Sequence, residues 1–340
     1  MKNKGKGMHS NNRKRPEEIF ENVYLIEVPL PNNPLKNLNS YLIKGDRRNL
    51  LIDTGFNQIE CREALEAAFE ALEVDFENTD IFLTHLHSDH TGLIGNFGGP
   101  KTVYYMSETD KNIMQRFFDK AYWLEKNEMF ERIGFPIELL KENMDKNPVR
   151  RFLPKQMPIT GVRDNKKIDL GGIVLTCIET PGHTPGHMCL YDEARGILFS
   201  GDHIIFDISP NITIWEEDDH SLKDYLESLK KIKALKVLEV LSSHRKPMGD
   251  VAKRIDELID HHDERLAEVV DILKKYPNSN AYEVSSHMTW SIRAKDWDDF
   301  PVMQKWFAVS EGAAHLEYLK GQGLVEKNLR DGIFRYRLYP

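Results

Sequence analysis

The feature that most constrains this chain is the stretch FLTHLHSDHTG, residues 82–92, which crowds three histidines and an aspartate between His85 and His90. It follows the short apolar run TDIFLTH, whose composition predicts a buried strand. The four side chains therefore stand at a strand end. In extended chain, residues two apart point the same way, so His85 and His87 are aimed at one place. Asp89 and His90 fall where TGLIG begins to turn, which aims them beside it. Imidazole and carboxylate suit zinc and other first-row cations. Completing such a site needs ligands from later strand-like runs, and the candidates are His183 in ETPGHTPGH, Asp202 in FSGDH and His244 in LSSHR. Each of these alone is an ordinary turn. Added to the first four they make a set that suits two metals sharing a bridging carboxylate. His220, His261 and His262 compete with His244 for the last place; His244 is preferred because it follows the run KVLEVLSS, whereas His261 and His262 fall inside a helical stretch.

The surrounding sequence alternates strand and helix. NVYLIEV, NSYLIKG and RNLLID read as paired strands, CREALEAAFEAL as a helix, and TVYYM, GIVLTCIE, GHMCLYD and GILFSGD as further short strands. Helical SLKDYLESLKKI and strand-like KVLEVLSSH follow, giving an α/β pattern with chemistry at strand ends. Residues 110–158 break this rhythm with Phe117, Phe118, Tyr122, Trp123, Met129, Phe130, Phe135 and Met144, and are expected to form a helical lid inserted beside the site. After a helical stretch over residues 248–275, KKYPNSN opens a smaller unit. It reads as a helix near Ala281–His287, a linker carrying Trp290, Trp297 and Trp306, a helix over residues 309–320, and a hairpin with Asp331 and Gly332 at its turn. Helix, helix and wing suggest a winged-helix module. The expected divisions are a disordered basic tail over 1–18, a main domain over 19–247 and a helical linker with the small module over 248–340.

Composition excludes several classes. No apolar run among the 340 residues approaches the roughly 18 needed to span a bilayer, so no membrane partner is expected. Cys61, Cys177 and Cys189 are far apart and odd in number, which fits neither a disulfide framework nor a paired redox motif and points to the cytoplasm. MKNKGKGMHSNNRKRP lacks the apolar core of a secretory signal. A net charge of -8 argues against a surface that tracks nucleic acid, and acidic and basic residues balance over 280–340. The basic cluster Lys327, Arg330, Arg335 and Arg337 keeps a nucleic-acid partner in view without favouring it. The module is read instead as a packing or homodimerisation element.

Asp53 in LIDTG, then His85, His87, Asp89 and His90, then His183, Asp202 and His244 together resemble the motifs of the metallo-β-lactamase superfamily, over residues 23–244. The resemblance implies an αββα sandwich, here with a helical insert, and a site at one edge. It implies that His85, His87 and His183 hold one metal, that Asp89, His90 and His244 hold the other with Asp202 bridging, and that Asp53 orients the ligand loop. It implies two divalent ions, zinc first, with iron or manganese as alternatives. The C-terminal SEGAAHLEYLKGQGLVEK resembles, more weakly, the subgroup containing β-lactamase-like endoribonucleases and many bacterial hydrolases.

The expected chemistry is hydrolysis by a metal-activated hydroxide that Asp89 helps to orient. One substrate class is a small ester, thioester or lactone, of the glyoxalase-II-like kind, enclosed by the insert with Trp123 and by PNITIWEED around Trp215. His187 and His203 adjoin ligands and are assigned to packing first and to the pocket wall second. The rival is a phosphodiesterase or endoribonuclease on single-stranded RNA. Diiron redox chemistry is disfavoured by His87, where such proteins carry glutamate, and an inert DNA-binding regulator is disfavoured by the full ligand set.

Overall fold

The computed structural model describes residues 14–146, 152–246, 248–291 and 293–340, with the side chains of 142–146 outside that description. Seven strands run in sequence order in one sheet: β1 (Glu17–Phe20), β2 (Val23–Pro29), β3 (Asn37–Ile43), β4 (Asn49–Ile52), β5 (Thr79–Phe82), β6 (Tyr104–Ser107) and β7 (Thr160–Val162). The first four are antiparallel, and β4 to β7 are parallel. The second sheet holds β8 (Lys167–Asp169), β9 (Val174–Glu179), β10 (Met188–Asp192), β11 (Ile197–Gly201) and β12 (Glu239–Ser242), with β11 and β12 parallel.

Alternate residues of both sheets point into a shared interior. Tyr41, Ile43, Leu50, Ile52 and Phe82 meet Leu175, Cys177, Leu190, Phe199 and Leu241 there, all fully or almost fully buried. The outer face of the first sheet is covered by the helix Ile59–Ala71 through Cys61, Leu65, Ala68 and Phe69. Against the second sheet lie the helices Ser221–Lys233 and Val251–Lys275. The layers are thus helix, sheet, sheet, helix.

The insert contains the helices Glu108–Arg116, Lys120–Arg132 and Ile137–Lys146. In the C-terminal part come Ala281–His287, the helix Val302–Gly321 and a hairpin of β13 (Val325–Arg330) and β14 (Ile333–Leu338). Asp331 and Gly332 have φ of 50° and 78° at the hairpin turn, the left-handed pair that a two-residue turn requires.

Several expectations are corrected. The tail expected over 1–18 lies outside the described residues up to residue 13, but Glu17 and Glu18 already pair with Leu25 and Tyr24, drawn in by Ile19 and Phe20 against the core between the sheets. The helix expected over 309–320 begins at Val302, directly after Pro301, and its first turns carry Trp306, which stacks on Phe130 of the insert at 4.7 Å. The boundary at 247 does not interrupt packing. Ile178, Leu198 and Val240 of the second sheet share one apolar cluster with Val309, Leu316, Val325 and Tyr336 of the C-terminal part. Met144 lies where side chains are not described.

Candidate metal centre

Parallel strands place their carboxyl ends on one side of the sandwich, and the loops leaving those ends carry the candidate ligands. β4 delivers Asp53, β5 delivers His85 to His90, the turn between β9 and β10 delivers His183, β11 delivers Asp202, and β12 delivers His244. Gly201, just before Asp202, has φ 53°, and a side chain there would meet His187 Nε2 at 2.6 Å and Thr84 Cβ at 2.8 Å. Only glycine lets β11 approach this closely.

The seven side chains converge. His85 Nε2 and His183 Nε2 each lie 3.0 Å from His87 Nδ1. His90 Nε2 lies 3.2 Å from His244 Nε2, and Asp89 Oδ2 lies 3.5 Å from the latter. Asp202 sits between the two groups. Its Oδ2 is 3.6 Å from both His90 Nε2 and His183 Nε2, and its Oδ1 is 3.5 Å from His244 Nε2. His220 is exposed and His262 is buried against His315, so neither joins the cluster.

Three of the far ring nitrogens are held by fixed acceptors. His183 Nδ1 donates to the Asn211 carbonyl at 2.8 Å, His244 Nδ1 to the Asn37 carbonyl at 2.9 Å, and His90 Nδ1 to Asp53 Oδ2 at 2.8 Å. This assignment of the proton leaves each Nε2 a lone pair aimed inward. Asp53, with φ 60° at the end of β4, also accepts from the Thr84 amide at 2.9 Å and the Thr84 hydroxyl at 2.8 Å. One buried carboxylate thereby fixes both the backbone before His85 and the ring of His90.

Burial disfavours charge on every imidazole here. It takes His85 well below its usual value, helped by His90 and His87, and brings His87 to about 3, helped by His183. His183 is also lowered by burial, against the pull of Asp202. For His90 burial is overridden by Asp53, Asp202 and Asp89, and for His244 by Asp202 and Asp89, so both are raised. Burial pushes the two carboxylates up, but His90 and His244 bring Asp89 to about 2, and His244 and His90 hold Asp202 well below the carboxylate range.

These residues fit a pair of divalent cations. A tetrahedral ion with bonds of about 2.0–2.1 Å sets its nitrogen ligands roughly 3.3 Å apart, close to the spacing of both groups. His85 Nε2 and His183 Nε2 each approach His87 Nδ1 to 3.0 Å, a convergence of ring nitrogens that one cation can bridge, and the buried Asp202 Oδ1 makes no hydrogen bond of its own. His85, His87 and His183 form one triad, Asp89, His90 and His244 another, and Asp202 is in reach of both.

Two residues unnoticed in the sequence support this arrangement. Asp110 is wholly buried at the start of the insert. Its Oδ2 accepts from the Leu86 amide at 3.0 Å and the Thr184 hydroxyl at 2.7 Å, and its Oδ1 from the Gly186 amide at 2.7 Å. It thus clamps the His85–His87 loop to the loop carrying His183; burial raises its carboxyl to about 7. Asn211, in an irregular loop, orients His183. Only the three-dimensional path brings either one to the site.

A cavity of about 410 Å³ opens on His87, Asp89, His183 and Asp202. Its walls are Phe117, Tyr122, Trp123, Phe130 and Leu140 of the insert, Ile205, Ile208, Ile214 and Trp215 of the loop after β11, and Met303, Trp306 and Phe307 of the C-terminal helix. Trp215 stacks on His87 at 6.0 Å. Trp123 and Trp215 are among the lining residues, whereas His187 and His203, read first as packing residues, are not. His187 is buried beneath His85, bonded to Thr180 Oγ1 and the Asp202 amide, and His203 is buried against Tyr225, so neither faces the cavity.

Residues 34–244 match the family model for the metallo-beta-lactamase superfamily. A probable metallo-hydrolase of Bacillus subtilis is 26% identical over 317 residues, covering 89% of this chain and 93% of that protein. A chicken protein named as an acyl-coenzyme A thioesterase is 28% identical over 175 residues, half of this chain and 58% of its own. The crystal structure of a metallo-beta-lactamase family protein from Thermus thermophilus superposes with a TM-score of 0.79 at 31% identity, covering 94% of this chain and 99% of that one. With this match, the αββα layering and the convergent histidine and aspartate side chains, the chain belongs to the metallo-beta-lactamase superfamily and is a metallo-hydrolase.

Proposed function

We propose that this metallo-hydrolase cleaves an ester or thioester of a small apolar acyl group, using two zinc ions held by His85, His87, His183, Asp89, His90, His244 and the bridging Asp202. The carrying observation is the cavity, whose aromatic and aliphatic walls end on four of those side chains. Ligand sites of this kind, apolar with a few convergent polar groups, bury a substrate and fix its reacting end. The chicken relative named as a thioesterase supports the same class.

When bound, the two ions would supply Lewis acidity and bring the pKa of a coordinated water toward neutrality. The chain's own groups do the rest. Asp89, ionised beside His244 at the cavity wall, is placed to orient the attacking water through its carboxylate. The Trp215 ring over His87 excludes solvent from that ligand's flank. Lys126, the one lysine or arginine among the described lining residues, donates to the Trp215 carbonyl, and burial lowers its ammonium to about 8.

Charge pairing weighs against RNA. Lys327 is buried against Glu317 at 2.7 Å, Arg335 bonds Glu283 at 2.7 Å and Arg337 bonds Glu326 at 2.5 Å. Three of the four cations that would grip a phosphate backbone are thus already neutralised by the chain itself. We read the C-terminal helices and hairpin as a winged-helix module that serves packing and walls the pocket. Three free, buried cysteines support the cytoplasmic location that we also propose. The test is turnover of a panel of acyl thioesters against cleavage of single-stranded RNA by zinc-loaded protein. Thioester hydrolysis is expected; RNA cleavage that is weakened by Arg335→Ala and Arg337→Ala, without thioester turnover, would overturn the reading.

A further inference from the structure

The C-terminal helix Val302–Gly321 lines the cavity and also reaches the residue that orients one candidate ligand. Its Glu311 is buried, and Oε2 accepts a hydrogen bond from the side-chain amide of Asn211 at 2.6 Å. The backbone carbonyl of that same Asn211 accepts from His183 Nδ1 at 2.8 Å. One residue earlier, the Ser310 hydroxyl accepts from the Ile214 amide at 3.2 Å. Behind Glu311, Arg265 Nε lies 3.8 Å from Oε1, and Arg265 is itself anchored to the Thr289 carbonyl at 2.6 Å. The loop over residues 211–214 has no regular structure of its own; Ile212 and Ile214 bury it in the core, and these two side chains of a distant helix supply hydrogen bonds that fix Asn211 and Ile214.

We propose that Glu311 is a positioning residue for the metal centre: by fixing Asn211 it sets the carbonyl that orients His183, and so strengthens the ion that His183 shares with His85 and His87. The inference rests on the two-metal reading of the cluster. Groups that hydrogen-bond a ligand, as the Asn211 carbonyl does His183, are commonly worth 10–100-fold in affinity, because a ligand free to rotate must be ordered when the ion binds; Glu311 acts one step behind, by holding Asn211. The triad of Asp89, His90 and His244 is oriented through Asp53 and Asn37 instead, so only one of the two ions depends on Glu311.

The experiment is titration of metal-free, full-length protein with Zn²⁺ against a chromophoric chelator, for wild type, Glu311→Ala, Glu311→Gln, Asn211→Ala and the Asn211→Ala/Glu311→Ala double variant. Wild type is expected to bind two equivalents in two steps. Glu311→Ala and Asn211→Ala should each weaken one step by tenfold or more, the same step that His87→Ala abolishes, and leave the other step within threefold. The double variant should be no weaker than the weaker single, and Glu311→Gln, which keeps an acceptor oxygen, should stay within threefold of wild type. Two wild-type steps in both alanine variants would overturn the proposal, as would equal weakening of both steps, which marks a general loss of packing. Should Glu311→Ala fail to fold, Asn211→Ala decides alone by the same criteria. Failure of wild type to bind zinc would instead overturn the metal reading beneath it.

Discussion

The ligand cluster and the cavity wall adjoin, yet they are built in different ways. The cluster comes from strand ends of a single sandwich, with four of its seven side chains inside six residues, and backbone carbonyls and Asp53 fix its rings. The wall is gathered from segments far apart in sequence, chiefly the insert, the loop after β11 and the first turns of the C-terminal helix. Cluster and wall meet where Trp215 covers His87 and where Asn211 links His183 to Glu311. The cluster determines what reaction can occur, and the wall determines what is admitted to it. The two should therefore fail separately when mutated.

The largest effect is expected in the cluster. His87→Ala removes a nitrogen from the first triad, and thioester hydrolysis at saturating substrate should fall by roughly three orders of magnitude, or about 4 kcal/mol of barrier. Retention of activity within tenfold would remove His87 from the chemistry. Next comes Asp53→Asn, which disturbs the acceptors for Thr84 and His90 and should weaken zinc binding by about 10–100-fold while acyl preference stays as in wild type. A changed preference would break the separation between cluster and wall. Trp306→Ala should do the reverse. With the stack on Phe130 gone, the ratio of kcat/KM for long against short acyl chains should rise about tenfold with zinc stoichiometry unchanged.

The smallest expected effect is a dependence of stability on pH. Burial raises the Glu311 carboxyl to about 7, against Arg265 and Asn211, which pull it down. Because the folded form holds this proton more tightly than the unfolded chain, its contribution is complete below the ordinary carboxyl range and is lost as pH rises through about 7. Denaturant unfolding of metal-free wild type should therefore show a loss of at most about 1.4 kcal/mol per pH unit from this group between pH 5 and 7. Glu311→Gln should lack that slope. Equal slopes would place the carboxyl outside this pH window.

The same contrast explains what the sequence revealed. HLHSDH is legible because a strand end makes neighbours in sequence neighbours in space, and His183, Asp202 and His244 are legible because each follows a strand-like run, while Asp53 enters only through the resemblance to the family's motifs. The insert is legible from its aromatic content. Asp110 is not: it stands in an unremarkable helix start and becomes a clamp only when β6 and the turn after β9 are side by side. Glu311 and Asn211 are separated by 100 residues and meet through packing alone. His187 and His203 adjoin ligands, but near-neighbours along a strand or loop face different ways, and both turn into the core, in keeping with packing as their first reading. The C-terminal unit read as separate because of its punctuation, while its apolar residues share a core with the second sheet.

The claim that the seven side chains form one centre for two ions is tested most directly by zinc content after reconstitution and gel filtration. Two equivalents per chain are expected for wild type and one for His87→Ala; one or fewer for wild type, or two retained in the variant, would contradict it.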